Sequence, residues 1–237
     1  MKARTFLDII GVNQNAYDFR ENMLSLIGGF LSIFFILITS YWLLDPQTAV
    51  YIVPSMGATA VLLFAAPHVP FSQPWNVFGG HLLSAAVGVA CWHWIPNVTI
   101  AASASVGVAI GVMYFTKCIH PPGGATALAM VIGSERLHDL GYAYILQPIF
   151  INTVTILVVA VVFNYPFKWR RYPAYLRPMS KPDKLSMVET GYAPINHGDF
   201  VYALSHIETY VDIDEADLIK IYQLATSRHA ELNPPKS

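Results

Sequence analysis

His120-Pro121-Pro122-Gly123-Gly124-Ala125-Thr126-Ala127 brings an imidazole, a hydroxyl and a backbone break together inside a long apolar tract. Proline has no N–H to donate and glycine weakens helices, so the run interrupts regular structure at membrane depth. The chain resumes at once as an apolar, helix-competent stretch from Ala125 to Gly133. A helix opening after such a break turns unpaired N–H groups and the positive end of its dipole toward the break, which favours an anion there. His120 directly precedes the break, and an unperturbed imidazole titrates near pH ~6.5, so its ring has two readings: proton coupling, or capping of neighbouring carbonyls.

The device occurs twice. Pro54-Ser55-Met56-Gly57-Ala58-Thr59-Ala60-Val61 aligns with Pro121 to Leu128 at a constant offset of 67 residues, with five of eight positions identical. Paired interruptions in corresponding places of two halves point to a transport site. The candidate substrate-binding residues are therefore Ser55, Met56, Gly57 and Thr59 in the first half. In the second half they are His120, Pro121, Pro122, Gly123, Gly124, Thr126 and Asn152. These groups offer donors without a fixed positive charge, which suits a small, weakly hydrated monovalent anion better than phosphate or a metal cation. No nucleotide loop, redox motif or zinc spacing occurs, and no cofactor or metal is expected.

The elements around these residues are long and apolar. Of 237 residues, 54% are hydrophobic and 12% charged, with a mean hydropathy of +0.45. A soluble domain carries about 25% charged residues. From Met23 to Pro166 the only charges are Asp45, Lys117, Glu135, Arg136 and Asp139. Met23–Leu44 is long enough to span a bilayer, and Pro54 is expected to divide residues 49–66 into an extended entry and a half-helix from Ser55. Gln73-Pro74 opens a span to about Trp94, and residues 98–117 form the next. After the break, Gln147-Pro148 opens a last span to about Tyr165. Two small-residue stripes, Gly80/Ser84/Gly88 and Ser103/Gly107/Gly111, are expected to pack the hairpin partners against each other. They are equally compatible with a homo-oligomer.

The expected fold is an all-α membrane protein with four to six transmembrane segments in two repeats, 23–94 and 98–165. Each repeat reads span, proline-broken half-helix, span. Residues 1–22 form a cytoplasmic arm, and 167–237 a basic linker with a short helical cytoplasmic tail. By the positive-inside rule, Lys168, Arg170, Arg171, Arg177, Lys181 and Lys184 after the last span place the tail in the cytoplasm, and Lys2, Arg4 and Arg20 place the N-terminus there too. If the half-helices complete crossings there are six, in an inverted repeat; if they re-enter there are four, in a parallel one. Asp8, Asp18 and Glu21 argue against a signal or transit peptide, which makes a bacterial-type cytoplasmic membrane the default. Cys91 and Cys118 read as packed thiols. The expected partners are the lipid bilayer and a small inorganic anion, with no nucleic acid.

His120-Pro121-Pro122 with Gly123-Gly124-Ala125-Thr126-Ala127 resembles the signature of the HPP family of integral membrane proteins. Pro54-Ser55-Met56-Gly57-Ala58-Thr59, Gln73-Pro74 and Gly79-Gly80-His81 are similar to that family's pattern as well, so the resemblance covers roughly residues 20 to 166. It implies a membrane domain described with four helices. Members in cyanobacteria and plastids are linked to nitrite transport, which makes nitrite the expected anion. Some relatives carry a regulatory CBS pair, but this tail is too short for one. The alternatives are an intramembrane sensor or enzyme that binds a small molecule without transporting it, with His120 as its one candidate group, and a structural subunit recruiting a partner through its tail.

Overall fold

The computed structural model describes residues 19–43 and 46–176, together with Leu218, Ile221, Tyr222 and Thr226. The expected N-terminal arm up to residue 18, and the tail helices apart from those four helical positions, lie outside the described residues. The described chain is helical throughout: α1 (Phe19–Leu43), α2 (Pro46–Ala65), α3 (Pro74–Trp94), α4 (Val98–Phe115), α5 (Pro121–Ile132), α6 (Glu135–Leu140) and α7 (Ile151–Asn164). A π-helical turn, Ile145–Phe150, leads into α7, so the last span runs Ile145–Asn164 and starts just before Gln147-Pro148. Three segments are long and apolar enough to cross a bilayer: Phe19–Trp42, Val98–Phe115 and Ile145–Asn164. Helix α3 has 21 residues, about 31 Å, and is long enough to cross although much of it is buried in the protein.

Contacts between element ends fix the topology. The start of α1 (Glu21) meets Arg170, just beyond α7, and Arg170 also reaches Phe64 at the end of α2. Trp75 at the start of α3 donates to Thr116 at the end of α4 (3.1 Å), and Asn76 donates to Ile119 just before α5 (2.9 Å). All these ends gather on one face, termed here the first face. On the opposite face Trp92, near the end of α3, stacks on His138 of α6 at 3.5 Å, and Cys91, Ala101 and Val131 cluster. The six long elements therefore alternate in direction, and α1 and α4, the first elements of the two repeats, run oppositely. This is the inverted arrangement.

The repeats interlock. α1 packs on α2 and α7, while α4 packs on α5 and α3, so each first element holds the third element of the other repeat. Asparagines pin these exchanges: Asn76 bonds the α4–α5 connection, and Asn152 accepts from Thr39 (3.0 Å) and donates to Ser40 (2.9 Å) near the end of α1.

Three sequence expectations are corrected. Pro54 does not divide α2, which runs unbroken through it. Proline is tolerated in a membrane helix, where neighbouring groups and small backbone adjustments re-satisfy what it frees; the Ser55 hydroxyl beside it bonds its own helix at Ile52 O (2.9 Å). Ser55, Met56 and Gly57 therefore sit mid-helix, with no free helix N-terminus there. Second, α5 begins at Pro121 and not Ala125, because prolines fit the first helical turn. Third, the α3 stripe faces α5, not α4. A Cβ on Gly88 would stand 2.6 Å from Ala127 O, and one on Gly123 2.6 Å from Gly80 O. Gly107 and Gly111 meet nothing within 4 Å; α4 buries Ala101, Ser105, Ala109 and Met113 instead.

The break itself is a Schellman turn. Lys117 takes φ 55°, its N–H donates to Tyr114 O (3.2 Å) and the Cys118 N–H to Met113 O (3.0 Å). These bonds satisfy the last carbonyls of α4 and let the chain turn back into the bundle with His120 fully buried.

Candidate functional site

The two halves of the repeat converge on one imidazole. Thr59 on α2 and Thr126 on α5, equivalent at the offset of 67, both bond His81 on α3: Thr59 Oγ1 lies 2.8 Å from Nε2 and Thr126 Oγ1 2.7 Å from Nδ1. His120, at the N-terminal cap of α5, adds a second ring. Its Nε2 lies 2.9 Å from Thr59 Oγ1 and its Nδ1 2.8 Å from Phe71 O in the α2–α3 loop. The rings meet edge to face, with centroids 4.9 Å apart. Thr59, His81, His120 and Thr126 are all 0% exposed. By the α-helical rise, His81 and Thr59 lie about 10 Å inside the first face.

Chemistry orients the chain. A backbone carbonyl only accepts, so His120 Nδ1 carries its proton and, in a neutral ring, Nε2 accepts from the Thr59 hydroxyl. Thr59 then accepts from His81 Nε2–H, which leaves His81 Nδ1 to accept from Thr126 O–H. Four donors point one way, from Thr126 toward Phe71. A buried neutral chain of this kind is fully satisfied.

The surroundings supply close approach and one spare hydroxyl. A Cβ on Gly80 would lie 2.5 Å from His120 Cβ, so the backbone of α3 touches the break. Ser84, one turn beyond His81, is 0% exposed, and its Oγ has no partner among the described residues. It points at the first turn of α5, 2.9 Å from where a Gly123 Cβ would stand. The Tyr144 hydroxyl donates to Thr126 O (3.0 Å) and steadies that turn. At the first face a cavity of about 270 Å³ opens between Glu21, His68, Trp169 and Arg170.

Of the residues singled out from sequence, Thr59, His120 and Thr126 come together, with Pro122 and Gly123 in the same buried turn. The Ser55 carbonyl lies 3.0 Å from the Thr59 hydroxyl, an alternative acceptor to His120 Nε2 for its single proton. Met56 is core, Gly57 faces away with nothing within 4 Å, and Pro121 and Gly124 lie at the edge. Asn152 belongs to the α1–α7 contact. The expected cradle of free N–H groups is absent at α5: Pro121 and Pro122 have none, and Gly123 N donates to His120 O (2.8 Å). The donors are side chains instead. His81 and Ser84 were not anticipated, although they lie on the Gly80/Ser84/Gly88 face, where any polar side chain must meet the partner helix. No group of three His, Cys, Asp or Glu able to hold a metal occurs among the described residues.

Comparison with known proteins places these features in a wider group. A family profile described as the HPP transmembrane region matches residues 14–173. A transmembrane protein of Dictyostelium discoideum is 35% identical over 67% of this chain and 52% of its own length. A second transmembrane protein of the same organism is 40% identical over 56% of this chain and 47% of its own. The chain thus spans about half the length of the curated relatives it matches. No solved structure matches.

Proposed function

Because the chain belongs to the HPP transmembrane family, we propose that it carries a small monovalent anion, nitrite first among the candidates, across the membrane by way of the His–Thr centre. The observation that supports this reading is the centre itself. Two imidazoles and two hydroxyls from three elements, with the unpartnered Ser84 hydroxyl beside them, are buried in a bundle of apolar helices. Polar groups at membrane depth are costly and characteristically line a pathway. The centre has donors but no fixed charge, too little for phosphate, and it has no carboxylate to hold a cation. Nitrite in particular follows from the family resemblance. We place the first face, with Lys168, Arg170 and Arg171, in the cytoplasm on the positive-inside rule, in a bacterial-type inner membrane.

The test is anion flux in proteoliposomes. Thr59→Val and Thr126→Val each remove one hydroxyl from His81 and should lower nitrite flux about tenfold, the equivalent of one hydrogen bond of ~1.4 kcal/mol. Thr59→Ser, which keeps the hydroxyl, should restore most of it. Flux unchanged in both valine variants, with the protein folded, would remove the centre from the pathway. Saturable nitrite binding without flux would favour the sensor reading.

A further inference from the structure

The chain from Thr126 to Phe71 has a second complete set of hydrogen bonds, and that set holds one more proton. Let His81 Nδ1 gain a proton from the medium as the Thr126 hydroxyl turns away from it to Pro122 O. His81 Nε2–H then passes its proton to Thr59 Oγ1 as Thr59 passes its own to His120 Nε2. His120 is now an imidazolium that keeps its Nδ1–H on Phe71 O, and His81 is neutral with its proton on Nδ1. The three links between Thr126 and His120 have reversed: His120 Nε2–H donates to Thr59 (2.9 Å), Thr59 to His81 Nε2 (2.8 Å) and His81 Nδ1–H to Thr126 (2.7 Å). The freed Thr126 hydroxyl has its own acceptor, Pro122 O, at 3.4 Å. Neither state leaves a donor or acceptor of the chain unpaired. A second proton would put two like charges on rings 4.9 Å apart in a dry site.

We propose that His81, Thr59 and His120 together hold one mobile proton and pass it between the two imidazoles through the Thr59 hydroxyl. In the transport reading, on which this part rests, that proton is the single positive charge that accompanies a monovalent anion. The groups facing the chain leave it isolated. The Tyr144 hydroxyl is on Thr126 O, the Cys118 thiol is beside Gly79 and Thr116, and His68 in the Phe71 loop bonds Arg171 O. Among the described residues Arg170 is the only other buried side chain able to carry positive charge, and it is engaged by Glu21, Asn164 and Phe64.

Nitrogen NMR of the full chain in lipid nanodiscs, with labelled histidine, reads the proposal directly. Assignment uses His81→Gln and His120→Gln. At alkaline pH His120 should carry its proton on Nδ1 and His81 on Nε2. On acidification one imidazolium should form per pair, and His81 should switch tautomer as it does so. The same tautomer on both rings, two imidazoliums, or titration of one ring with the other unmoved would overturn the relay. A trapped pH dye in nitrite-loaded vesicles separates this from the transport reading. One proton moved per nitrite supports both. Nitrite flux without proton movement overturns the relay and leaves transport standing. The tautomer switch without any nitrite flux leaves the relay standing and removes transport.

Discussion

Gly123→Ala is expected to destabilise the protein strongly for a single added methyl. Its Cβ would lie 2.6 Å from Gly80 O and 2.9 Å from Ser84 Oγ, and the first of these is backbone that cannot rotate aside. Adding a methyl in open helix favours the fold by up to ~1 kcal/mol over glycine. Overpacking a close crossing costs about 1–3 kcal/mol and more where backbone must shift. The clash therefore wins, and α5 must move away from α3, carrying Thr126 off His81. Gly80→Ala, whose Cβ would meet His120 Cβ at 2.5 Å, should behave alike. Gly107→Ala, open on every side, should be neutral or slightly stabilising. Thermal unfolding in detergent reads the contrast; equal midpoints for Gly123→Ala and Gly107→Ala would show that the crossing is looser than described.

Arg170→Met is expected to cost about 3 kcal/mol, toward the low end for breaking a buried ion pair because Glu21 keeps 35% of its side chain in contact with solvent. The Arg170 side chain is 2% exposed and joins three helices, α1, α2 and α7. It caps the end of α2 through Phe64 O (2.6 Å), bonds Asn164 Oδ1 (3.2 Å), pairs with the Glu21 carboxylate and reaches Ser25. Methionine fills much of the volume but leaves the carbonyl and the amide unpaired. Arg170→Lys should recover part of the loss, since one ammonium cannot serve a planar set of partners. An unfolding midpoint unchanged in Arg170→Met would mean that this face is held without the guanidinium, by bonds such as Tyr172–Ser72, Gln73–Ala174 and His68–Arg171.

The centre was half legible in the sequence. The repeated Gly-Ala-Thr-Ala block marked Thr59 and Thr126, and the proline pair marked the break that buries His120. What the repeat could not give was the point where its halves meet. His81 has no histidine counterpart in the second half, and residue 53, the counterpart of His120 at the offset of 67, is valine. Pro54 misled because local propensity marks it as a stop, whereas a helix in lipid has no water to receive its freed carbonyls and stays closed. The double proline at 121–122 had the opposite effect: it begins a helix while removing the very N–H groups that would bind an anion. The inverted topology depended on which element ends share a face, and that information lies in long-range bonds such as Trp75–Thr116 and Arg170–Glu21.

Uptake of nitrite into proteoliposomes, with nitrate and chloride as competitors, bears most directly on the account. The expected result is saturable, protein-dependent uptake, with nitrate competing more strongly than the smaller, more strongly hydrated chloride. Uptake no greater than in protein-free liposomes, for any of the three anions, would contradict it.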